Sequence, residues 1–298
     1  MSRVAISLFK INIYWYSIFI LLGIIVAYFL IIKESKKHNI DKNIINDMIF
    51  YGIIFGILGA RLYYVIFNYE YYINNPSEIF AIWNGGLAIH GGLIFGAIFV
   101  YIYSKKNKIN FIRILDIIAP AIMIAQAFGR WGNFFNREAH GGLTTLKNLQ
   151  NMHLPKFIID GMYIDGRYFY PTFFFESIGC FVGAILIILV RKRKNIKLGI
   201  SSGIYFIWYG ILRFFIESKR TDSLMFFDFK IAQIISIISI ILGTILIICS
   251  KKQKKYIEGD KNVWLYYSRS RTCGVKCSYI FKKCKQEYFN TWKRSSRW

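Results

Sequence analysis

The segment 114–138 decides the class of protein, and it reads ILDIIAPAIMIAQAFGRWGNFFNRE. Its first part, 114–128, is almost wholly apolar and is typical of a helix within a lipid bilayer. Its second part, 129–138, places two arginines, two asparagines and a glutamate at or just inside the lipid boundary. Burying such groups without partners costs on the order of several kcal/mol each. The segment therefore predicts a membrane helix whose end meets a polar ligand.

The composition of the whole chain agrees with a membrane protein. Of its 298 residues, 55% are hydrophobic, which is more apolar surface than a soluble domain of this size covers. The apolar runs are too long for barrel strands, so we expect an all-α polytopic membrane protein. The first run is also too long for a cleavable signal peptide and is interpreted as a permanent span. The five cysteines suggest neither a disulfide framework nor a zinc site.

The apolar runs predict about seven transmembrane helices, at roughly 13–32, 46–67, 87–103, 114–129, 172–190, 199–217 and 231–250. Alternate connections between these spans are strongly basic. The segments 33–44, 104–113, 191–197 and 251–298 hold 27 of the 39 Lys and Arg residues, whereas 68–86 holds none. This positive-inside pattern predicts an extracytoplasmic N-terminus and a cytoplasmic C-terminus. The formal charge of +23 is then mostly a topology signal, and nucleic acid is not an expected partner.

Two domains are predicted along the chain. Residues 1–250 form the seven-span membrane domain, and the connection 130–171 between spans four and five forms a small extracytoplasmic cap. Residues 251–298 form a basic cytoplasmic tail with fourteen basic and three acidic residues. Such a tail is either disordered or adheres to the surface of anionic membrane lipids.

Charged and polar side chains also fall inside the predicted spans. Tyr209, Arg213 and Glu217 are spaced four residues apart and share one helix face, to which Arg220 lies close. That face is either a structural Arg213–Glu217 pair or the cationic wall of a cavity. Glu176, at the start of span five, is expected to pair with one of the buried arginines.

His90 lies in the run GGLAIHGGL, 85–93, in which four glycines remove side-chain bulk. Another backbone or a ligand can approach closely there. His90 is therefore either a packing residue or a functional one. Tyr16 opens span one together with Trp15, and an aromatic belt at the membrane surface explains both equally well. Asp116 and Gln126 are intramembrane polar groups to which the sequence assigns no partner.

Several of these side chains are expected to meet in the outer half of the helical bundle, namely Arg61, His90, Arg130, Asn133, Asn136, Tyr209 and Arg213. Guanidinium groups at a lipid boundary suit a phosphate, which they can clamp with two hydrogen bonds. The anionic ligand that is most available at this depth is a phospholipid head group.

Together the motifs resemble those of the prolipoprotein diacylglyceryl transferase family. The run GRWGNFFNREAHG, 129–141, resembles its long signature, and HGGL, 90–93, resembles its histidine motif. The run YGILRFFIESKR, 209–220, matches the late Y-G-x-x-R-x-x-x-E-x-x-R, while Trp15-Tyr16 and Gly59-Ala60-Arg61 match the first two spans. Departures occur at Ser17, where the family has glycine, and at Tyr170, Phe174 and Phe175, where it has His, Leu and Tyr. The resemblance covers about residues 11–250.

The resemblance implies a transferase of the bacterial inner membrane, acting as a monomer without metal or organic cofactor. It would move the diacylglyceryl group of phosphatidylglycerol onto the lipobox cysteine thiol at the signal peptide of a prolipoprotein. Catalytic roles would fall to His90 as base and to Arg130, Tyr209 and Arg213. The phosphatidylglycerol contacts would come from Tyr16, Arg61, Arg130, Asn133, Asn136, Glu138, Gly141, Glu217 and Arg220.

Two other functions remain open from the residues themselves. Buried arginines and glycine-broken helices also suit a transporter or channel for an anionic solute, although no inverted repeat is visible. A non-catalytic lipid-binding scaffold, whose basic tail recruits partners, is the second alternative.

Overall fold

The computed structural model describes residues 3–8, 11–193, 196–221, 225–226 and 229–251, and within these it contains seven long α-helices. The long helices are α1 (Trp15–Lys37), α2 (Lys42–Phe67), α4 (Ile89–Lys106), α5 (Phe111–Asn136), α8 (Thr172–Arg191), α9 (Ile200–Lys219) and α10 (Ile231–Lys251). The short ones are α3 (Tyr69–Asn74), α6 (Leu146–Asn151) and α7 (Lys156–Gly161). Each long helix coincides with one of the predicted apolar spans.

Five helices of the described chain are long and apolar enough to cross a membrane, namely α1, α2, α5, α8 and α10. The remaining long helices, α4 and α9, carry charged and polar side chains and do not belong to this group. The chain is therefore a mostly helical membrane protein, as the composition predicted. Residues 252–298, which hold nearly all of the predicted basic tail, lie outside the described residues.

Helix α5 occupies the centre of the helical part. It packs against α1 on one side and against α8 and α9 on the other, and it also contacts α4. Helices α2 and α4 form a pair, and α10 packs along α9. Because α5 carries the motif 129–138 at its end, this arrangement places the motif beside the start of α8 and the end of α9.

The glycines around His90 serve the packing of α4 on α2. A Cβ added at Gly91 would lie 2.3 Å from the carbonyl oxygen of Gly59, and one added at Gly92 would lie 3.3 Å from that of Gly56. The sequence left open whether a backbone or a ligand approaches these glycines. In the structure it is the backbone of α2, as at the small-residue contacts of other membrane helices.

Asp116 and Gln126, which had no assigned partners, both reach from α5 to α9. The Asp116 carboxylate accepts the backbone N–H groups of Gly199 at 2.7 Å and of Ser202 at 2.8 Å, and the Ser202 hydroxyl at 2.8 Å. It therefore caps the start of α9, whose first N–H groups have no partner inside the helix. Gln126 donates to the Tyr205 hydroxyl at 3.1 Å.

The connection between α5 and α8 folds into a small unit of strands and short helices. The strands β3 (Leu143–Thr144), β4 (Tyr163–Ile164) and β5 (Arg167–Phe169) form an antiparallel sheet in the order β3-β5-β4. Beneath it the core is made by Phe134, Leu149, Leu154, Ile158, Ile159, Met162 and Phe173. Because Phe134 and Phe173 belong to α5 and α8, this unit is packed directly on the two helices that flank the motif.

Two hairpins were not predicted. The strands β1 (Val4–Leu8) and β2 (Ile11–Tyr14) pair in antiparallel fashion just before α1, and the Trp15 N–H donates to the carbonyl of Arg3. The strands β6 (Met225–Phe226) and β7 (Phe229–Lys230) pair between α9 and α10. Each hairpin directly precedes an apolar helix, α1 or α10. Because apolar residues occur on both sides of these boundaries, hydrophobicity alone does not show where strand changes to helix.

Candidate active site

Two arginines from different helices meet at a single carboxylate. Nη2 of Arg130, in α5, lies 2.6 Å from one carboxylate oxygen of Glu176, in α8. Nη1 of Arg213, in α9, lies 3.5 Å from the other oxygen of the same group. Nη2 of Arg213 also lies 2.7 Å from the carboxylate of Glu217, one turn further along α9. Three helices are therefore joined at one point by ion pairs.

The carboxylates of this cluster are enclosed, while the guanidinium groups are partly open. The side chains of Glu176 and Glu217 are 2% and 3% exposed, against 19% and 18% for Arg130 and Arg213. A guanidinium carries five N–H donors, which is more than these ion pairs use. Each guanidinium group is thus oriented by a buried carboxylate, and some of its N–H donors remain for hydrogen bonds to an anionic ligand.

Tyr209 completes the cluster from α9. It lies one turn before Arg213, and its hydroxyl has the charged groups of Arg130, Glu176 and Arg213 as neighbours. Its ring stacks on that of Tyr205 with centroids 6.0 Å apart. The structure therefore brings together three of the four predicted catalytic residues, Arg130, Tyr209 and Arg213.

Cys180 is a buried neighbour that the sequence analysis missed. It lies one turn after Glu176 on α8 and is fully buried beside the cluster. The four-residue spacing between the carboxylate and the thiol was the available signal, but an apolar run with one cysteine gives no reason to single it out.

The other part of the motif lies where α5 ends. Arg137 adopts the left-handed conformation, with φ +57°, which stops the helix. The Asn136 side chain donates to the Glu138 carboxylate at 3.1 Å, and the Glu138 N–H donates to the carbonyl of Asn133. The predicted residues Asn133, Asn136 and Glu138 are therefore neighbours within one turn.

Tyr16 lies against this helix end. A Cβ added at Gly132 would lie 2.7 Å from Cδ2 of the Tyr16 ring, so glycine is required for the contact. Beside it is a polar cavity of about 400 Å³. The cavity is lined by Arg3, Tyr14, Tyr16, Ser17, Asn136, Arg137 and Glu138. A pocket of this size suits a small polar group such as a lipid head group.

Gly141 and Arg220 pair with each other through their backbones. The neighbouring Gly142 N–H donates to the carbonyl of Lys219 at 2.9 Å. The Lys230 ammonium group donates to the carbonyls of Glu217 and Arg220, both at 2.8 Å, and so caps the end of α9. The end of α9, which carries Glu217, is thus fixed from both sides.

Arg61 and His90 belong to helices α2 and α4, which carry none of the residues of the arginine cluster. The Arg61 guanidinium donates to backbone carbonyls of the segment 78–86, which connects α3 to α4 and includes residues of two short 3₁₀-helices. His90 is exposed at the start of α4, with its ring centroid 6.3 Å from that of Tyr63. Within the described residues, neither makes a hydrogen bond or ion pair with the arginine cluster.

No group of three or more His, Cys, Asp or Glu side chains in the described part of the chain is arranged to hold a metal ion. The chemistry that the described side chains offer is anion binding, proton transfer and charge stabilisation.

A family model for prolipoprotein diacylglyceryl transferase matches residues 3–249. A protein of Clostridium novyi is 50% identical over 255 residues, which are 86% of this chain and 98% of that protein. A protein of Staphylococcus xylosus is 48% identical over 246 residues, which are 82% of this chain and 88% of that protein. A Staphylococcus aureus protein is equally similar, and all three are named phosphatidylglycerol–prolipoprotein diacylglyceryl transferase.

Proposed function

The chain belongs to the prolipoprotein diacylglyceryl transferase family, and we propose from this that it transfers the diacylglyceryl group of phosphatidylglycerol to the lipobox cysteine of prolipoproteins. The observation that carries the proposal is the meeting of Arg130 and Arg213 at the buried Glu176 carboxylate. Family membership favours a transferase over a transporter or channel for an anionic solute. It favours a transferase over a non-catalytic scaffold for the same reason.

The reaction is a displacement at carbon. The thiolate of the prolipoprotein cysteine attacks the glyceryl carbon that carries the phosphate, a C–S bond forms, and the C–O bond to the phosphate breaks. The products are a thioether and glycerol phosphate, and the thiol proton passes to a base. A free cysteine thiol has a pKa of about 8.5, so a base or nearby positive charge is needed at neutral pH.

Arg130 and Arg213 are proposed to bind the phosphate and to stabilise the charge that grows on it as glycerol phosphate leaves. The singly charged phosphodiester becomes a phosphomonoester with a second negative charge, so pre-oriented guanidinium groups favour the transition state over the bound lipid. Glu176 and Glu217 fix the guanidinium groups, which limits the reorganisation needed during the reaction. Tyr209 adds a hydroxyl beside Arg130.

The head-group glycerol is proposed to occupy the cavity at the end of α5. Support comes from its lining, in which Asn136, Glu138 and Tyr16 offer hydrogen-bond donors and acceptors to glycerol hydroxyls. Asn133 lies within the same turn. Gly141 and Arg220 are proposed to act on the lipid through the position of the helix end that they hold.

His90 is proposed as the base that takes the thiol proton. It lies at the start of α4, and connectivity puts that start at the same end of the bundle as the end of α5 and the start of α8. Its exposed side chain leaves the imidazole free to meet a substrate that arrives from outside the protein.

The protein is proposed to cross the bacterial inner membrane seven times, with the N-terminus outside and the C-terminus in the cytoplasm. Support comes from the seven long helices of the described chain and from the basic connections at one end of them. The β3-β5-β4 unit is then an extracytoplasmic cap. The protein is proposed to act as a monomer without a cofactor.

The proposal is tested with the purified protein, phosphatidylglycerol vesicles and a peptide that contains a lipobox cysteine. The peptide should gain the mass of one diacylglyceryl group, and glycerol phosphate should be released in equal amount. Arg130→Ala and Arg213→Ala should abolish transfer while both variants still insert into the membrane.

Arg167→Gln is the matched control, because Arg167 is exposed on β5 and lies outside the site. Transfer near the wild-type rate from either alanine variant would rule out phosphate binding by these arginines. Uptake of an anionic solute into vesicles, without any modified peptide, would support the transporter instead.

A further inference from the structure

Arg61 is a buried arginine whose guanidinium group donates hydrogen bonds to backbone carbonyls of a neighbouring segment. Its side chain is on α2, and the residue is only 7% exposed. Nε donates to the carbonyl of Ile79 at 2.8 Å, and Nη2 donates to that of Glu78 at 2.5 Å. Nη1 donates to the carbonyls of Gly85 at 2.8 Å and Gly86 at 2.9 Å. One guanidinium therefore binds both ends of the segment 78–86.

Two aromatic rings complete the surroundings of Arg61. Its guanidinium carbon lies 5.2 Å from the centroid of the Tyr72 ring and 6.0 Å from that of Tyr64, distances at which a cation is attracted to a ring. The acceptors and rings are neutral, so the positive charge is stabilised by carbonyl dipoles. An anionic phosphate would have to displace several of these bonds to reach the guanidinium.

The loop is shaped to fit the guanidinium. Gly85 and Gly86 have φ values of +86° and +73°, a conformation that favours glycine and that turns both carbonyls toward the same nitrogen. A Cβ added at Gly86 would lie 2.5 Å from Nη1 of Arg61. The backbone conformation of the two glycines and the lack of a side chain at Gly86 are therefore both needed for the guanidinium of Arg61 to fit.

The loop leads directly to His90. After Gly86 the chain returns to α2, where the Ala88 N–H donates to the carbonyl of Ala60, the residue before Arg61. Helix α4 begins at the next residue and has His90 in its first turn. The start of α4 is thus tied to α2 at Ala60 and, through the loop, at the Arg61 guanidinium.

We propose that Arg61 is a positioning residue, which acts on the transfer reaction by fixing the loop 78–88 and hence the place of His90. The inference rests on the proposed function and on His90 as the base. It replaces a direct contact between Arg61 and phosphatidylglycerol, because four of the five N–H donors of the guanidinium are committed to the loop.

The test is a double-mutant cycle on the full chain, with the kcat and KM of diacylglyceryl transfer measured for phosphatidylglycerol. Arg61→Gln should lower kcat by roughly 10- to 100-fold and leave KM within about twofold, because a shift of about 1 Å in a reacting group has an effect of this size. In the His90→Asn background, Arg61→Gln should cause little further loss.

Arg61→Lys should restore only part of the rate, since an ammonium group has no planar fork of donors. Gly86→Ala provides a second cycle in which the buried charge is kept and only the fit of the loop is disturbed. It should also lower kcat and should also lose its effect when His90 is asparagine. Arg167→Gln serves again as the exposed control.

Several results would overturn the inference. A rise in KM of tenfold or more with unchanged kcat would indicate that Arg61 binds the lipid directly. Losses that multiply in the double variants would show that Arg61 acts independently of His90, and a normal rate in His90→Asn would remove the group it positions. If the wild-type protein shows no transfer, the proposed function itself fails, which is a separate outcome.

Discussion

Glu176 is the residue on which the geometry of the site most depends. It is the only partner shared by the two arginines in the described structure, and it is 2% exposed. A buried carboxylate with two cations is stable only as long as all members remain, since removing one leaves buried charge without compensation. We therefore expect the three helices that carry Arg130, Glu176 and Arg213 to be coupled in stability and in function.

Replacing Glu176 by glutamine should lower both the stability of the protein and its transfer activity. We expect a loss on the order of 3–5 kcal/mol in the free energy of unfolding and a fall in transfer of roughly 100-fold, because two guanidinium groups lose their common anchor. Thermal unfolding in detergent and the peptide transfer assay measure the two effects. Glu70→Gln, on the exposed face of α3, is the control; equal behaviour of both variants would contradict a central role for Glu176.

His90 is the residue that we propose as the base, and its replacement should affect the rate of transfer. His90→Asn should lower transfer strongly at neutral pH and should change the pH–rate profile of transfer, because asparagine cannot take a proton from the thiol. The profile of kcat/KM measured between about pH 5 and 9 tests this. If the variant kept the wild-type profile, the thiolate would be formed without His90, for instance through the positive charge of the arginines.

The residues of the site were predictable to different degrees. Arg130 and Arg213 could be predicted because charged groups at a lipid boundary require partners, and the pairing of Glu176 with an arginine follows from the same argument. That Glu176 joins both arginines depends on the packing of three helices, which no local pattern encodes. The partners of Arg61 are backbone carbonyls, and these leave no signal in side-chain chemistry.

At the level of secondary-structure elements, α9 is held at both ends and along its length by neighbouring parts of the chain. Its start is capped by Asp116 from α5, and its end by Lys230, which precedes α10. Along its length small residues allow close contact with α10, as at Gly203, where an added Cβ would lie 3.0 Å from the carbonyl of Gly243. A helix held in this way keeps Tyr209 and Arg213 in a constant position.

Asp116→Asn should therefore destabilise the protein through α9. We expect a loss of about 1–2 kcal/mol, the usual range for a lost helix cap, together with reduced transfer. Ser202→Ala removes only the hydroxyl bond and should lose about 1 kcal/mol. Because both changes affect the same carboxylate, their effects should not add, and thermal unfolding of the double variant tests this. Full additivity would contradict a shared cap.

The long helices could be predicted from sequence because their apolar runs are longer than any strand requires. The hairpin β1–β2 could not, since its residues continue without a break into the apolar run of α1 and its pairing needs a partner strand. The β3-β5-β4 sheet was likewise beyond prediction in detail, because its strands have two or three residues each. Short strands carry too few residues to show a period of two.

For the chain as a whole, we predict that the membrane part and the tail 251–298 make separable contributions to function. The family match ends at residue 249, before the basic tail begins. Every residue that the proposed reaction uses lies within the matched part. The tail therefore has no assigned part in transfer.

A variant that ends at Lys251 should transfer diacylglyceryl groups at a rate within about twofold of the full chain. It should bind less to anionic vesicles, since each basic residue near such a surface contributes about 1 kcal/mol. The transfer assay and vesicle sedimentation measure these effects. A complete loss of transfer on truncation would favour the scaffold alternative, in which the tail recruits partners.

The backbone pairing of Gly141 with Arg220 has one more consequence. Together with the bond from the Gly142 N–H to the Lys219 carbonyl, it joins the connection between α5 and α8 to the last turn of α9. A partner that displaces this connection would therefore also displace the end of α9, the helix that carries Arg213. We therefore expect the binding of a protein substrate to this connection to change the position of Arg213 before the substrate cysteine reaches the site.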